Sequence, residues 1–371
     1  MADYVVTPWE VSGKIDYKKL IKEFGTKPLS DSLVKKIVKK AGKDHLFLRR
    51  KIFFSHRDLD IVLDAADKGK EFALYTGRGP SGHTHLGHLI PWMFTKYLQD
   101  AFGAELYFQL TDDEKFFVKD LSLKETHDFA YENVLDIIAC GFDPKKTHIF
   151  LDTEYAKTLY PIASEVAKRT TFSTVKAVFG FKNETNIGLI FFPALQAAPC
   201  FLPSILKGKN IPVLIPAAID QDPYWRGIAR EAAPKLGYSK PAQIHNIFFP
   251  GLGESGKMSA SDPRTAIYTT DDESTVTKKV GGAFTGGQPS VEEQRKKGGN
   301  PDICPVMHYF YFLFEGDDKK VAEQQRLCRE GKLLCGEHKK MLSGKINAFL
   351  KEHQKKREKA RKQIDKFMLR D

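Results

Sequence analysis

The sequence predicts an α/β protein: a parallel-sheet domain followed by an α-helical C-terminal domain. Three observations carry this. From Glu71 onward apolar strands alternate with helical segments, the pattern of a parallel sheet with helices on its faces. Polar side chains gather where the strands run out, at Tyr75, Gln109, Asp220 and Gln221. Beyond Pro263 the chain turns charged and helical.

Residues 1–68 are mixed and charged, with Pro8-Trp9 near the start and a basic amphipathic stretch from Val34 to Lys43, and read as an appended N-terminal element. Residues 69–265 read as the sheet domain, Rossmann-like in its alternation. Its first unit is a strand from Phe72 to Thr76, a Gly/Pro loop from Gly77 to Thr84 and a helix over about Leu86 to Phe102. A second strand, Glu105 to Leu110, runs into Thr111-Asp112-Asp113-Glu114-Lys115. A largely helical insertion is expected over about 116–205. The strand Pro212 to Ala217 then delivers Ala218-Ile219-Asp220-Gln221-Asp222-Pro223 before a helix from Tyr224. A Gly-rich loop carrying Lys257-Met258-Ser259-Ala260-Ser261 closes the domain.

Residues 266–371 read as a helical domain. Ile346, Phe349, Leu350, His353, Ala360, Ile364, Phe367 and Met368 recur at three- and four-residue steps, so the last helix has one apolar stripe and is expected to pack back. Lys351, Lys355, Lys356, Arg357, Lys359, Arg361 and Lys362 are assigned to its other, solvated face.

The 371 residues suffice for two or three domains, and 58 Lys and Arg against 47 Asp and Glu leave a net charge of +11, which suits an anionic partner. The start, MADYVVTPWEVSG, lacks a basic-then-apolar signal pattern, so a cytoplasmic protein is expected. The most apolar stretch, Gly188 to Leu206, is broken by Pro193, Pro199 and Pro203 and reads as buried structure, not a membrane span. Five cysteines (140, 200, 304, 328 and 335) include no Cys-x-x-Cys pair and are expected to be reduced thiols.

Two segments carry the chemistry. His85-Leu86-Gly87-His88 opens a helix, where amide N–H groups and the macrodipole favour a phosphate. Gly87 lets a nucleoside lie against bare backbone. Lys257, on its loop, adds a cation for a polyphosphate. His83, His85 and His88 also permit a metal-site reading, but Gly87 between the imidazoles suits nucleotide contact better, and no protein-held metal is expected. Asp112, Asp113 and Glu114 offer carboxylates for Mg²⁺ or for the start of the next helix, with Glu114 or Gln109 facing a pocket at the strand ends.

Together, the His-x-Gly-His turn and the lysine loop resemble the signature pair of class I aminoacyl-tRNA synthetases. The segments TPWEV (7–11), FFSHRD (53–58), LYTGRGPSG (74–82), QLTDDEK (109–115), IIACGFDP (137–144), FFPALQAAP (191–199), LIPAAIDQDPYWR (214–226) and GKMSASDP (256–263) extend the likeness to tryptophanyl-tRNA synthetases of the eukaryotic and archaeal type. This resemblance implies a tryptophan–tRNA ligase that uses L-tryptophan, ATP with Mg²⁺ and tRNA(Trp), holds no tight cofactor, and forms a homodimer. It implies catalytic roles for His85, His88 and Lys257, and ATP contacts at Arg78, Gly79, His85, Gly87, His88, Lys257, Met258 and Ser259. Tyr75 and Gln221 are implied to read the indole N–H, Gln109, Glu114 and Gln196 to hold the ammonium group, and residues 266–371 to bind the anticodon. The second lysine of the general class I loop is Ala260 here. Tyrosyl-tRNA synthetases, nucleotidyltransferases with the same His-x-Gly-His turn, and a non-catalytic tRNA-binding paralogue are the competing readings.

Overall fold

The computed structural model describes residues 4–6, 11–13, 15–254, 258 and 262–371. Strands β1 (Tyr4–Val6) and β2 (Val11–Gly13) form a small antiparallel pair. The main sheet comprises β3 (Lys27–Pro28), β4 (Phe53–Arg57), β5 (Ala73–Arg78), β6 (Glu105–Leu110), β7 (Thr147–Leu151), β8 (Val213–Ala218) and β9 (Ala242–Asn246). Its order is β3-β4-β9-β8-β5-β6-β7, with β5 to β9 parallel and β3 and β4 antiparallel at one side.

Both faces of the sheet are covered, so strands β5 to β8 are largely apolar on both sides. Successive side chains alternate: Leu74, Leu106, Phe108, Ile149 and Leu214 pack on one face, Ala73, Tyr75, Tyr107, Phe150 and Val213 on the other. The helices Leu86–Phe102 and Leu123–Ala139 cover the first face; Ala156–Ala167 and Ile187–Ala197 cover the second. From β5 the chain builds outward through β6 and β7, then returns to the other side of β5 with β8 and β9. That reversal parts the connections at the carboxyl ends of β5 and β8, where parallel sheets bind ligands.

Several elements depart from the sequence reading. The N-terminal stretch is woven into the sheet, since β3 and β4 extend it beyond β9. The stretch 116–205 is largely helical, as expected, and also contains β7, which continues the parallel side beyond β6. The helix expected from Tyr224 begins at Asp222, after a 3₁₀ turn at Ile219–Gln221, and widens into a π turn over Trp225–Ala229.

The last helix, Cys335–Ala360, packs against Leu123–Ala139 and Glu273–Gly281. It stops eight residues before Met368, because the tail does a different job: Ile149 N–H donates to the Phe367 carbonyl (2.7 Å) and Leu369 N–H to the Ile149 carbonyl (2.7 Å), covering the open edge of β7. Arg357 does not lie on the solvated face. Four residues after His353 and three before Ala360, it falls on the apolar stripe and is buried. Its charge is met there by Asp136 and Glu132, and His353 Nε2 donates to Asp136 Oδ1 (2.8 Å).

Burial pushes the Asp136 carboxyl up, but the His353 hydrogen bond and the Arg357 charge outweigh it and hold the group below the usual carboxylate range. The stabilisation is therefore complete above the unfolded value of about 3.9 and is lost as pH falls through the folded one. Arg357→Ala, which strands the Asp136 carboxylate, should cost about 3–5 kcal/mol in urea unfolding at neutral pH. The difference from wild type should shrink in acid; a loss under about 1 kcal/mol at pH 7 would contradict the placement.

Candidate active site

A cavity of about 500 Å³ opens at the strand ends around the reversal. β5 brings Tyr75 and Arg78 to it, with Gly79 just beyond; β6 brings Gln109, and the helix Asp112–Val118 brings Glu114. Gln196 arrives from the helix Ile187–Ala197, and Asp220 and Gln221 follow β8. His85, Gly87 and His88 line the same cavity, with Met258 across from Gly87. Lys257 and Ser259 lie outside the described residues. One cavity thus gathers every other residue of the implied catalytic, ATP and tryptophan sets, from segments more than 170 positions apart, while His83, Asp112 and Asp113 do not line it.

On the amino-acid side, the alternation of β5 and β6 puts Tyr75 and Gln109 on the same face. The Tyr75 hydroxyl donates to Gln109 Oε1 (2.5 Å), with the Gln196 carbonyl at 3.1 Å. Gln109 Nε2 in turn donates to Asp152 Oδ1 (2.8 Å), which fixes the amide's orientation. Complete burial holds the Tyr75 phenol neutral, its pKa well above the usual range. With its proton committed to Gln109, the phenol oxygen keeps lone pairs for a ligand's N–H donor. Glu114 Oε1 accepts from Lys115 Nζ (2.7 Å) and Oε2 from Thr111 Oγ1 (3.2 Å). A Cβ on Gly79 would meet Lys115 Cε at 2.1 Å and Glu114 Oε2 at 2.9 Å, so the backbone here passes directly under that pair.

At the start of the helix Leu86–Phe102, His85 is the capping residue, in extended conformation. Its backbone N–H donates to His88 Nδ1 (3.1 Å), and the two imidazoles stack with centroids 3.6 Å apart. Neutral His88 therefore carries its proton on Nε2. The turn is held from behind: Leu86 N–H donates to the Ile267 carbonyl (3.0 Å), Thr269 N–H to the Thr84 carbonyl (2.9 Å), and Asn133 Nδ2 to the Gly82 carbonyl (3.0 Å). Arg78 is no ordinary surface cation. Its Nε and Nη2 have no hydrogen-bond partner among the described residues, and burial pushes the guanidinium down to about 10 despite Glu114 and Asp136 nearby. An enclosed guanidinium with open donors suits an anionic ligand.

Among the described residues no three His, Cys, Asp or Glu side chains are arranged to hold an ion. Asp112, Asp113 and Glu114 occupy the first turn of their helix, where carboxylates suit the macrodipole. Sequence reasoning missed two residues. Asp152 directly follows β7, so recognising that strand would have found it; burial and the neighbouring Asp113 raise its carboxyl well above the usual range. Trp225, edge-on to Tyr75 at 6.0 Å, stood in the segment 214–226 without being singled out.

One cavity joins the His85–His88 turn to the Tyr75–Gln109 pair at the reversal of a parallel sheet, an arrangement of the class I synthetase kind. The family of class I tRNA synthetases for tryptophan and tyrosine matches residues 67–351, and the chain belongs to it. It is 54% identical to the tryptophan–tRNA ligase of Pyrobaculum calidifontis over 99% of this chain and 98% of that one. It is also 54% identical to the tryptophan–tRNA ligase of Pyrococcus abyssi, covering 98% and 94% of the two chains. Among solved structures, the tryptophanyl-tRNA synthetase of Plasmodium falciparum superposes with a TM-score of 0.87 at 42% identity, covering 95% of each chain. No helix among the described residues is long and apolar enough to cross a membrane.

A Cβ on Gly87 would press on the His85 ring at 3.1 Å and sit in the nucleotide face of the cavity. Gly87→Ala should raise KM for ATP about tenfold, equivalent to ~1.4 kcal/mol, with KM for the amino acid little changed. Initial-rate kinetics with each substrate varied in turn checks this; an unchanged ATP KM contradicts it.

Proposed function

We infer that this chain activates L-tryptophan with ATP and transfers it to tRNA(Trp). The observation that carries this reading is the single cavity in which the nucleotide turn meets the Tyr75–Gln109 pair, in a chain 54% identical to tryptophan–tRNA ligases over nearly its whole length. In the first step the tryptophan carboxylate attacks the α-phosphorus of ATP; the P–O bond to the leaving group breaks and pyrophosphate departs. Catalysis is positioning plus stabilisation of charge on phosphate oxygens. His85, His88 and Arg78 supply donors at the α-phosphate, Gly79 and Gly87 allow the nucleotide's close approach, and Met258 and Ser259 border it. Lys257 neutralises the leaving phosphates, without the help a lysine at position 260 would give. Mg²⁺ enters with ATP as part of the substrate.

Tryptophan offers one ring donor and no ring acceptor. Tyr75, whose own proton goes to Gln109, and the carbonyl of Gln221 are the acceptors that read it. Glu114 supplies the charge for the ammonium group, with Gln109 and Gln196 beside it. The region 266–371 binds the anticodon, a role supported by the exposed Lys351, Lys355, Lys356 and Lys359 of its last helix and Lys362 just beyond it. A homodimer is supported by Phe116, Tyr160, Phe172 and Ile187, large apolar side chains exposed on helices that pack together over residues 112–197. A cytoplasmic setting is supported by five cysteines that are all unpaired.

ATP–pyrophosphate exchange with each amino acid in turn tests the reading: exchange should depend on tryptophan alone. Dependence on tyrosine, or on no amino acid, overturns it in favour of a tyrosine enzyme or of a nucleotidyltransferase or tRNA-binding protein. Tyr75→Phe and Gln221→Ala should each cost about 1–3 kcal/mol in tryptophan binding, and less for the benzothiophene analogue that lacks the ring N–H. Equal losses for both ligands would mean that these side chains shape the pocket without reading the nitrogen.

A further inference from the structure

The segment Phe53–Asp58 contributes no side chain to the cavity, yet it is bonded to the stretch that does. Arg57 Nε donates to Asp222 Oδ1 (2.8 Å) and Nη2 to Asp222 Oδ2 (3.0 Å), a two-pronged contact. The rest of the guanidinium is anchored as well, Nη1 to the Gly25 carbonyl (3.1 Å) and Nη2 to the Phe24 carbonyl (2.7 Å). The Asp222 side chain is fully buried and follows Gln221 directly. Next to Arg57, Asp58 accepts from Arg230 Nη2 (2.6 Å), so the far end of the same stretch is pinned too.

Asp222 sits where regular structure is least able to fix direction. The chain passes there from a 3₁₀ turn (Ile219–Gln221) through one short turn of α-helix (Asp222–Tyr224) into a π turn (Trp225–Ala229). The hydrogen-bond spacing changes twice along this stretch, from 3₁₀ to α to π, while Gln221, Tyr224 and Trp225 must all face the cavity. The charges around Asp222 are few. His245 Nε2 lies 3.7 Å away, but burial lowers that imidazole to about 4 and leaves it neutral, paired with Ser55 and Gln243. Arg226 is 3.8 Å away and half exposed. Arg57 is thus the close, enclosed cation, and its planar fork fixes both the place and the plane of the carboxylate.

We propose that Arg57, acting through Asp222, is a positioning residue for tryptophan recognition, setting the orientation of residues 219–225 and hence of Gln221. The proposal rests on the reading of Gln221 as part of the indole-reading pair, and it gives the N-terminal stretch a part in specificity. It predicts an effect confined to the amino acid. In the full chain, Arg57→Lys keeps the charge and loses the fork; Asp222→Asn keeps the shape and loses the charge. Each should raise KM for tryptophan about tenfold or more in pyrophosphate exchange, with KM for ATP within about twofold of wild type. The double variant should be no worse than the more impaired single one, because both remove one contact. Amide hydrogen exchange over residues 219–225 should quicken in the same variants, a readout independent of which amino acid is the substrate.

The proposal is overturned if the tryptophan KM stays within about twofold in a folded variant, if both KM values rise together, or if exchange over 219–225 is unchanged. Should Arg57→Lys not fold, Asp222→Asn carries the same readouts. Wild-type protein without tryptophan-dependent exchange would instead sink the assignment of substrate, and the hydrogen-exchange result would still decide the role of Arg57.

Discussion

The reversal of strand order at β5 is the constraint on which the rest of the molecule depends. Because β6 and β7 lie to one side of β5 and β8 and β9 to the other, the connections leaving β5 and β8 diverge and cannot cover the sheet between them. The backbone in that gap has no further strand to pair with, so it accepts polar side chains and ligands. Most polar side chains of the cavity are delivered there near a strand end or a helix start; Gln196 comes from the end of its helix. The price of such a cleft is a set of buried polar groups that need partners, and the chain of contacts from Tyr75 through Gln109 to Asp152 supplies them on one side.

On the other side, one helix links the nucleotide turn to the C-terminal region. In Leu123–Ala139, Asn133 and Asp136 are three residues apart and share a face. Asn133 holds the Gly82 carbonyl in the loop before the His turn, while Asp136 is held by His353 and Arg357 from the last helix. Gln354 adds a second route, donating to the Thr269 carbonyl (2.9 Å), with Thr269 itself bonded to Thr84. The C-terminal region therefore braces the loop before the His turn through two short sets of bonds. A shift of the last helix would reach the nucleotide turn through contacts of a single helical turn.

What could be read in the sequence followed from how strongly each element expresses its period. The helix Leu86–Phe102 and the strand Glu105–Leu110 have clean apolar patterns and sharp ends, at His85, Gly103 and Thr111, and both formed with the bounds expected. The central strands β5 and β8 were displaced by a single residue at the start and by one or two at the end. β9, Ala242–Asn246, gave no such signal because three of its five residues are Gln, His and Asn; all three are buried, His245 between Ser55 of the neighbouring strand and Gln243 of its own, and Asn246 bonded to the Ile247 carbonyl. β7 was hidden by its shortness among helices. Arg357 was misassigned because a charge was taken to mean solvent, when the partner that permits its burial, Asp136, is more than 200 residues away in sequence. The candidate pocket was legible because its residues sit at element ends. Asp152 and the Arg57 contact were not, since each depends on a strand pairing that leaves no local trace.

The strap formed by Phe367–Leu369 along β7 bears on how the protein stays monodisperse while it is being made. β7 is the outermost strand of the parallel side, and Ile149 would otherwise present an unpaired N–H and C=O to solvent, a template for another chain. The segment that covers it follows the whole helical region in sequence. A nascent chain thus carries an open edge through most of its synthesis, and docking of the last helix is the event that closes it. The C-terminal region is in this sense a built-in guard against intermolecular strand addition.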